Sequence, residues 1–158
     1  MIPMKRFALY LFLFAVLPLA LYGLYVQYQT AMRLTPEIVN TLVEPYSKAL
    51  SSGNQAEAYR RFTSTGFRKR NSPASYLKAQ EANTAEFGKL LGITTRKGDA
   101  FKSAGNLFSG RRYYQGNMLY RYEKKELFVV WEVVREDDEF RIDATFLESL
   151  EMLSPGIY

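Results

Sequence analysis

Apolar and polar positions divide this chain into two unlike parts. Residues 7–26 form an apolar run without a charged side chain, directly after Lys5 and Arg6. A helix rises about 1.5 Å per residue, so this run would extend about 30 Å, the thickness of a bilayer core. Beyond it, apolar residues recur first at helical and then at strand spacing. The pattern predicts a cytoplasmic N-terminus at 1–6, a transmembrane helix at 7–26 and one folded domain after it.

The apolar run favours an uncleaved signal-anchor over a secretory signal peptide. A signal peptide has an apolar core of about 7–15 residues and a small-residue cleavage site. Here the run is longer, and its far end carries Tyr22 and Tyr25 without an Ala-x-Ala pattern. Lys5 and Arg6 should stay on the cytoplasmic side. We therefore expect a single-pass protein of the bacterial inner membrane with its C-terminal domain in the periplasm or outside the cell; the alternative is an unusual signal peptide.

A linker at 27–34 and three helices are predicted next. Thr35-Pro36-Glu37 has the composition of a helix start, and Pro45 should kink or divide the helix that follows. Gly53 suits the left-handed position at its end, and Asn54 then caps a short second helix. A turn is predicted at 63–66. Ser72 and Pro73 open a third helix at about 73–91, which Gly92 ends.

The second half of the domain shows strand patterns. A weak strand candidate occupies 93–103, and stronger alternating stretches follow, separated by short polar turns. These strands are predicted at 113–123, 126–135 and 139–146. Helices followed by an antiparallel run of strands define an α+β domain.

Alternation of side chains assigns two faces to the predicted sheet. Pairing across the Lys124-Lys125 turn places Trp131 opposite Met118. Pairing across the Asp137-Asp138 turn places it opposite Ala144. The face of Trp131 is the predicted core face, and it holds Tyr114, Met118, Tyr120, Tyr122, Leu127, Val129, Trp131, Val133, Ile142, Ala144 and Phe146. The outer face mixes apolar residues with charged ones: Leu119, Phe128, Val130, Val134, Asn117, Arg121, Glu132, Arg141, Asp143 and Thr145.

This order of elements resembles the NTF2-like superfamily. The resemblance rests on residues 43–59, where an apolar helix ends in Gly-Asn and a helix carrying Ala-Tyr follows, and on the terminal hairpin at 128–143. It covers 35–146 and leaves 147–158 as a C-terminal tail. It implies a cone of three helices packed on a curved antiparallel sheet, as in small membrane-anchored proteins of the bacterial envelope.

Members of this superfamily enclose a cavity, and some use it as an active site. The side chains that would line it here are Tyr114, Met118, Tyr120, Tyr122 and Trp131. They could equally fill it, since aromatic side chains are large core residues. Relatives that abstract a proton resemble ketosteroid isomerase, in which a cavity carboxylate is the base. The predicted core face carries no carboxylate, so we expect no catalytic residue and no enzymatic activity; the alternative is a cavity enzyme acting on a small hydrophobic substrate.

Two carboxylates are predicted to lie opposite each other on the outer face. Glu132 and Asp143 could together bind a cation. The simpler interpretation is that Arg121 or Arg141, on the same face, neutralises them, because exposed acid–base pairs are routine on sheets. We therefore predict no metal site here.

Composition narrows the chemistry further. The chain has no cysteine and no histidine. Disulfides, thiol nucleophiles, zinc sites built on Cys or His, and serine triads that need histidine are therefore excluded. The net charge of +5 is small for a nucleic-acid-binding protein, which normally concentrates its basic residues on one face. We predict neither a cofactor nor a nucleic-acid partner.

The apolar residues of the outer face predict an interface, because a solvated sheet face is normally polar at most positions. These are Leu119, Phe128, Val130 and Val134. The first expectation is a homodimer; the tail could instead cover them through Leu150, Met152, Leu153 and Ile157, or an envelope protein could. The predicted function is binding or scaffolding, through protein partners or a small apolar ligand.

Overall fold

The computed structural model describes residues 12–96, 99–106 and 111–147. Its first long helix, α1, spans Leu17–Ile38. No helix within the described residues is long and apolar enough to cross a membrane. The second half of α1 carries polar residues such as Gln27 and Arg33, and residues 7–11 of the predicted span lie outside the described part. The predicted transmembrane span at 7–26 is therefore wrong, together with the single-pass, signal-anchored inner-membrane location derived from it.

The predicted start of a helix at Thr35 is also absent, because α1 continues through it. Pro36 lies inside the helix, and the Thr35 hydroxyl donates to the Ala31 carbonyl at 2.7 Å instead of capping a new helix. Residues 27–34, predicted as a linker, are helical for the same reason. Thr35 and Pro36 are residue types that usually begin a helix, but here they lie inside α1, so the predicted helix start was wrong.

Pro45 does divide the helical region, as predicted. A π-helical turn, Val39–Val43, separates α1 from α2, and Pro45 lies in the first turn of α2. Gly53 takes a φ of +81° and allows the chain to leave α2. The remaining helices follow in short succession. The helices after α1 are α2 (Glu44–Ser51), α3 (Gln55–Phe62), α4 (Thr65–Arg70) and α5 (Pro73–Phe87).

Serine side chains cap α4 and α5. Ser64 Oγ accepts from the Phe67 amide at 2.8 Å, so the short helix α4 begins inside the segment predicted as a turn. Ser72 Oγ accepts from the Ser75 amide at 3.1 Å and begins α5 as predicted. The helix α5 ends at Phe87, earlier than predicted, because Gly88 has a φ of +83° and the chain then enters the first strand.

Five antiparallel strands form one sheet, which confirms the α+β class. The sheet order is β1-β3-β4-β5, and β2 pairs with the other end of β3. The strands are β1 (Leu90–Thr95), β2 (Lys102–Asn106), β3 (Arg111–Tyr122), β4 (Glu126–Glu136) and β5 (Glu139–Leu147).

The β3–β4 register differs from the predicted one by two residues. Trp131 lies opposite Gly116, and Met118 lies opposite Val129. Side chains alternate along a strand, so a shift of two leaves every residue on its predicted face. Trp131 is accordingly fully buried, with its ring 5.3 Å from that of Tyr46 on α2. Gly116 leaves room for the ring of Phe101, which an added Cβ would meet at 2.6 Å.

The β4–β5 register contains a bulge that reverses part of the prediction. Val133 pairs with Ile142 as predicted, but Glu132 pairs with Ala144, so Asp143 is an extra residue on β5. From the bulge to the end of β5, each side chain therefore lies on the face of the sheet opposite to the predicted one. Phe146, predicted in the core, is 52% exposed, whereas Asp143, predicted on the outer face, is only 2% exposed. The predicted pairing of Glu132 with Asp143 is therefore wrong, and Ala144, predicted opposite Trp131, is half-buried and pairs with Glu132.

Candidate functional site

A cavity of about 640 Å³ lies between α5 and the inner face of the sheet. The helix α5 packs mainly on α3, and Tyr76 is its buried residue. Ala79 and Asn83, one and two turns later, are too short to fill the space before the sheet. Exposed residues such as Ala79 and Leu147 form part of the wall, so the cavity opens to solvent.

The walls of the cavity combine apolar and hydroxyl-bearing side chains. Residues from β3, β4 and β5 form one side, and residues from α2, α4 and α5 form the other. The apolar and aromatic members include Tyr46, Phe67, Tyr76, Ala79, Tyr120, Tyr122, Leu127, Val129, Ile142, Phe146 and Leu147. The polar members include Thr63, Arg70, Asn71, Ser75, Gln80, Asn83 and Asp143.

Tyrosine hydroxyls supply the buried polar atoms at the base of the cavity. The hydroxyls of Tyr46 and Tyr76 are hydrogen-bonded to each other at 2.9 Å. The Tyr120 hydroxyl accepts a hydrogen bond from Nε1 of Trp131 at 2.9 Å. The rings of Tyr120 and Tyr122 stack with centroids 6.5 Å apart. All four of these tyrosines are at least nine-tenths buried.

Burial keeps these phenols protonated. It raises the pKa of Tyr46 and of Tyr120 well above the ordinary value, because a phenolate would be poorly solvated there. It raises the pKa of Tyr76 to about 12. The pKa of Tyr122 is also raised by burial, although the hydrogen-bonded Asn83 side chain opposes that shift. The cavity therefore presents neutral hydroxyl groups at any physiological pH.

The buried Asp143 carboxylate is held from two sides at the cavity wall. Ser64 Oγ donates to Oδ1 at 2.5 Å, and the half-exposed Arg70 guanidinium donates to Oδ2 at 3.0 Å and to the Asp143 carbonyl at 2.6 Å. Gly66 allows the close approach, since an added Cβ would lie 2.7 Å from Oδ1. The cluster joins α4 to β5 and compensates the buried charge.

The structure brings together only part of the predicted cavity set. Tyr120 and Tyr122 line the cavity. Met118 and Trp131 are fully buried behind it, and Tyr114 packs against Phe140 with ring centroids 5.7 Å apart. These three side chains fill the core rather than border the open space.

Several residues of the site were not predicted. Tyr46 and Tyr76 stood on the apolar sides of their helices, so helical periodicity alone could have proposed them as partners of Tyr120. Arg70 and Asp143 carried no such signal. Their meeting depends on the bulge in β5, which alternation does not reveal.

The predicted interface residues are only partly accessible. Leu119, Phe128 and Val130 are half-buried, and Val134 is 8% exposed. The Arg96 guanidinium lies 5.3 Å from the centre of the Phe128 ring and covers part of it. A homodimer through this face stays a prediction. The alternative cover, residues 150–157 of the tail, lies outside the described residues.

Within the described residues, no group of three or more Asp and Glu side chains is placed to hold a metal ion. No protein-family model, curated protein or solved structure matches this chain. The NTF2-like assignment therefore stays a prediction.

Proposed function

We propose that this chain is a binding domain whose cavity takes up a small, mostly apolar ligand. The observation that carries the proposal is a solvent-accessible space of about 640 Å³ bordered by aromatic and aliphatic side chains. Pockets for small molecules usually enclose about 300–1,000 Å³, with mainly apolar walls and a few placed polar groups. The tyrosine hydroxyls provide those polar groups.

Apolar surface on the wall supplies the driving force. Leu127 is half-buried, and Leu147 is exposed at the rim. Covering such surface with an apolar ligand is worth about 25 cal/mol for each Å² removed from water. Tyr46, Tyr120 and Trp131 are fixed by hydrogen bonds and edge-to-face ring contacts, so the base of the cavity is already formed before a ligand arrives.

Isothermal titration calorimetry of the full chain with 2-acetylnaphthalene tests the proposal. Ala79→Phe adds a ring to the cavity wall, and we expect it to weaken binding at least tenfold. Ala85→Phe is the matched control, because Ala85 is exposed on the same helix but does not border the cavity. Exposed apolar residues outside the cavity, such as Leu19 on α1, offer an alternative place for the probe to bind. Binding that both variants leave unchanged would place the probe elsewhere and contradict the proposal.

One observation favours a second candidate, a cavity enzyme that abstracts a proton. Asp143 borders the cavity, whereas the sequence predicted no carboxylate there. Its two oxygens already accept from Ser64 and Arg70, which favours a structural role. Proton NMR of 2-tetralone in D₂O separates the two functions. An enzyme would exchange the protons next to the carbonyl in an Asp143-dependent manner, and a binding domain would leave the background rate unchanged.

A further inference from the structure

We infer that the ligand of this cavity carries a neutral hydrogen-bond acceptor, such as a ketone, ester or ether oxygen, which sits against the tyrosine hydroxyls. The inference rests on the proposed function and specifies its ligand class. It follows from counting the protons of the buried hydroxyl groups that border the cavity.

The Tyr46–Tyr76 pair has one hydroxyl proton more than it uses. Each hydroxyl carries one proton, and a single hydrogen bond of 2.9 Å joins the two oxygens. Whichever oxygen donates, the proton of the other has no acceptor among the described residues. Both side chains are more than nine-tenths buried and border the cavity, so the cavity is where that proton can meet an acceptor. A buried donor without a partner is unfavourable, and an acceptor atom of a ligand in the cavity would supply the missing hydrogen bond.

Tyr120 adds a second unused donor. Its oxygen accepts from Nε1 of Trp131, an indole group that can only donate. The Tyr120 proton must therefore point to another acceptor, and the described residues provide none. Tyr120 and Tyr46 pack against the same tryptophan ring, so Tyr120 lies close to the Tyr46–Tyr76 pair.

The charge balance selects a neutral acceptor. Among the described residues, the cation that borders the cavity is Arg70, which is paired with Asp143 through an ion pair of 3.0 Å. An anionic group beside the tyrosines would lose its hydration without gaining an unpaired cation. A carbonyl or ether oxygen needs only the hydroxyl protons and leaves its apolar body against Leu127 and Val129.

A pair of probes with nearly equal shape tests the inference. 2-Acetylnaphthalene and 2-isopropenylnaphthalene differ by replacement of the carbonyl oxygen with a methylene group. Calorimetry of the full chain should show the ketone binding about three- to tenfold more tightly, as expected for one net hydrogen bond. The carbonyl stretch of the ¹³C-labelled ketone should shift to lower frequency on binding.

Hydroxyl deletions assign the donor. The double variant Tyr46→Phe/Tyr76→Phe removes both hydroxyls of the pair, and Tyr120→Phe removes the second donor. At least one of them should abolish the ketone preference and reverse the infrared shift. Tyr59→Phe is the matched control: its buried hydroxyl donates to the Asn71 carbonyl at 2.6 Å and does not border the cavity, so the preference should persist.

The outcomes separate this inference from the proposed function. Equal, Ala79-dependent binding of both probes, without an infrared shift, would overturn the acceptor inference and leave the binding function in place. Failure of both probes to bind at the Ala79 site would overturn the binding function itself. A ketone preference that survives both hydroxyl deletions would also contradict the inference, because the donor would then lie outside the tyrosine cluster.

Discussion

Asp143→Asn should destabilise the domain by about 1–2 kcal/mol. The side chain is 2% exposed and accepts from Ser64 and Arg70. Asparagine keeps a carbonyl oxygen that can accept from Ser64. A hydrogen bond between neutral groups, however, contributes about 0.5–1.5 kcal/mol to stability, whereas one to a charged group contributes about 1.5–3 kcal/mol. The ion pair adds little, at most about 1 kcal/mol, because the Arg70 side chain is 49% exposed and screened by water.

Urea unfolding at pH 7, followed by circular dichroism and by the fluorescence of Trp131, measures this difference. Asp138→Asn is the matched control. Asp138 forms an ion pair of 3.7 Å with Arg135 but is 97% exposed, so the same exchange should cost less than about 0.5 kcal/mol. Asparagine also tolerates the positive φ of +63° at this position. Equal effects of the two substitutions would refute the bulge and the buried position of Asp143.

Three further substitutions or conditions test the packing. Trp131→Ala should cost about 3–5 kcal/mol in urea unfolding, whereas Glu132→Ala, half-buried on the other face, should cost much less; similar losses would contradict the face assignment. Gly116→Ala should destabilise by about 1–3 kcal/mol because its Cβ would meet an aromatic ring at 2.6 Å, while Gly92→Ala, with 3.9 Å of clearance, should be neutral or stabilising. The pKa of Tyr76 is raised to about 12, so the unfolded chain loses this proton first; stability should fall as the pH rises from 10 to 12, and less steeply in Tyr76→Phe, which urea unfolding at pH 9 and 11 would show.

Strand alternation predicted the core faces of β3 and β4 correctly despite an error in register. The hairpin between β3 and β4 closes with Arg121 opposite Glu126, not with Glu123, so the strands are shifted by two residues. A shift of two residues leaves each side chain on its predicted face. The prediction that Trp131 is in the core is therefore correct although its predicted partner is not. The same rule explains why the bulge made the prediction for the end of β5 wrong: a shift of one residue moves each later side chain to the opposite face.

Local helix signals were less informative because tertiary context overrides them. Thr35 and Pro36 have the composition of a helix start, yet α1 passes through them, and the Thr35 hydroxyl accepts from the Phe101 amide at 2.9 Å. This contact joins residues 66 positions apart, and no local pattern indicates it. The apolar run similarly predicted a membrane span that the described helices do not provide. The sequence left undecided whether the predicted cavity is open or filled, because that depends on how far α5 lies from the sheet.

The most direct test of ligand binding in the cavity is the indole resonance of the chain's one tryptophan. Nε1 of Trp131 donates to the hydroxyl of Tyr120, which borders the cavity, so a bound ligand should alter its environment. In a ¹⁵N–¹H correlation spectrum of the full chain, titration with 2-acetylnaphthalene should shift this resonance saturably, and Ala79→Phe should suppress the shift while Ala85→Phe should not. An indole resonance that stays fixed while the probe binds would contradict a ligand site at the tyrosine cluster.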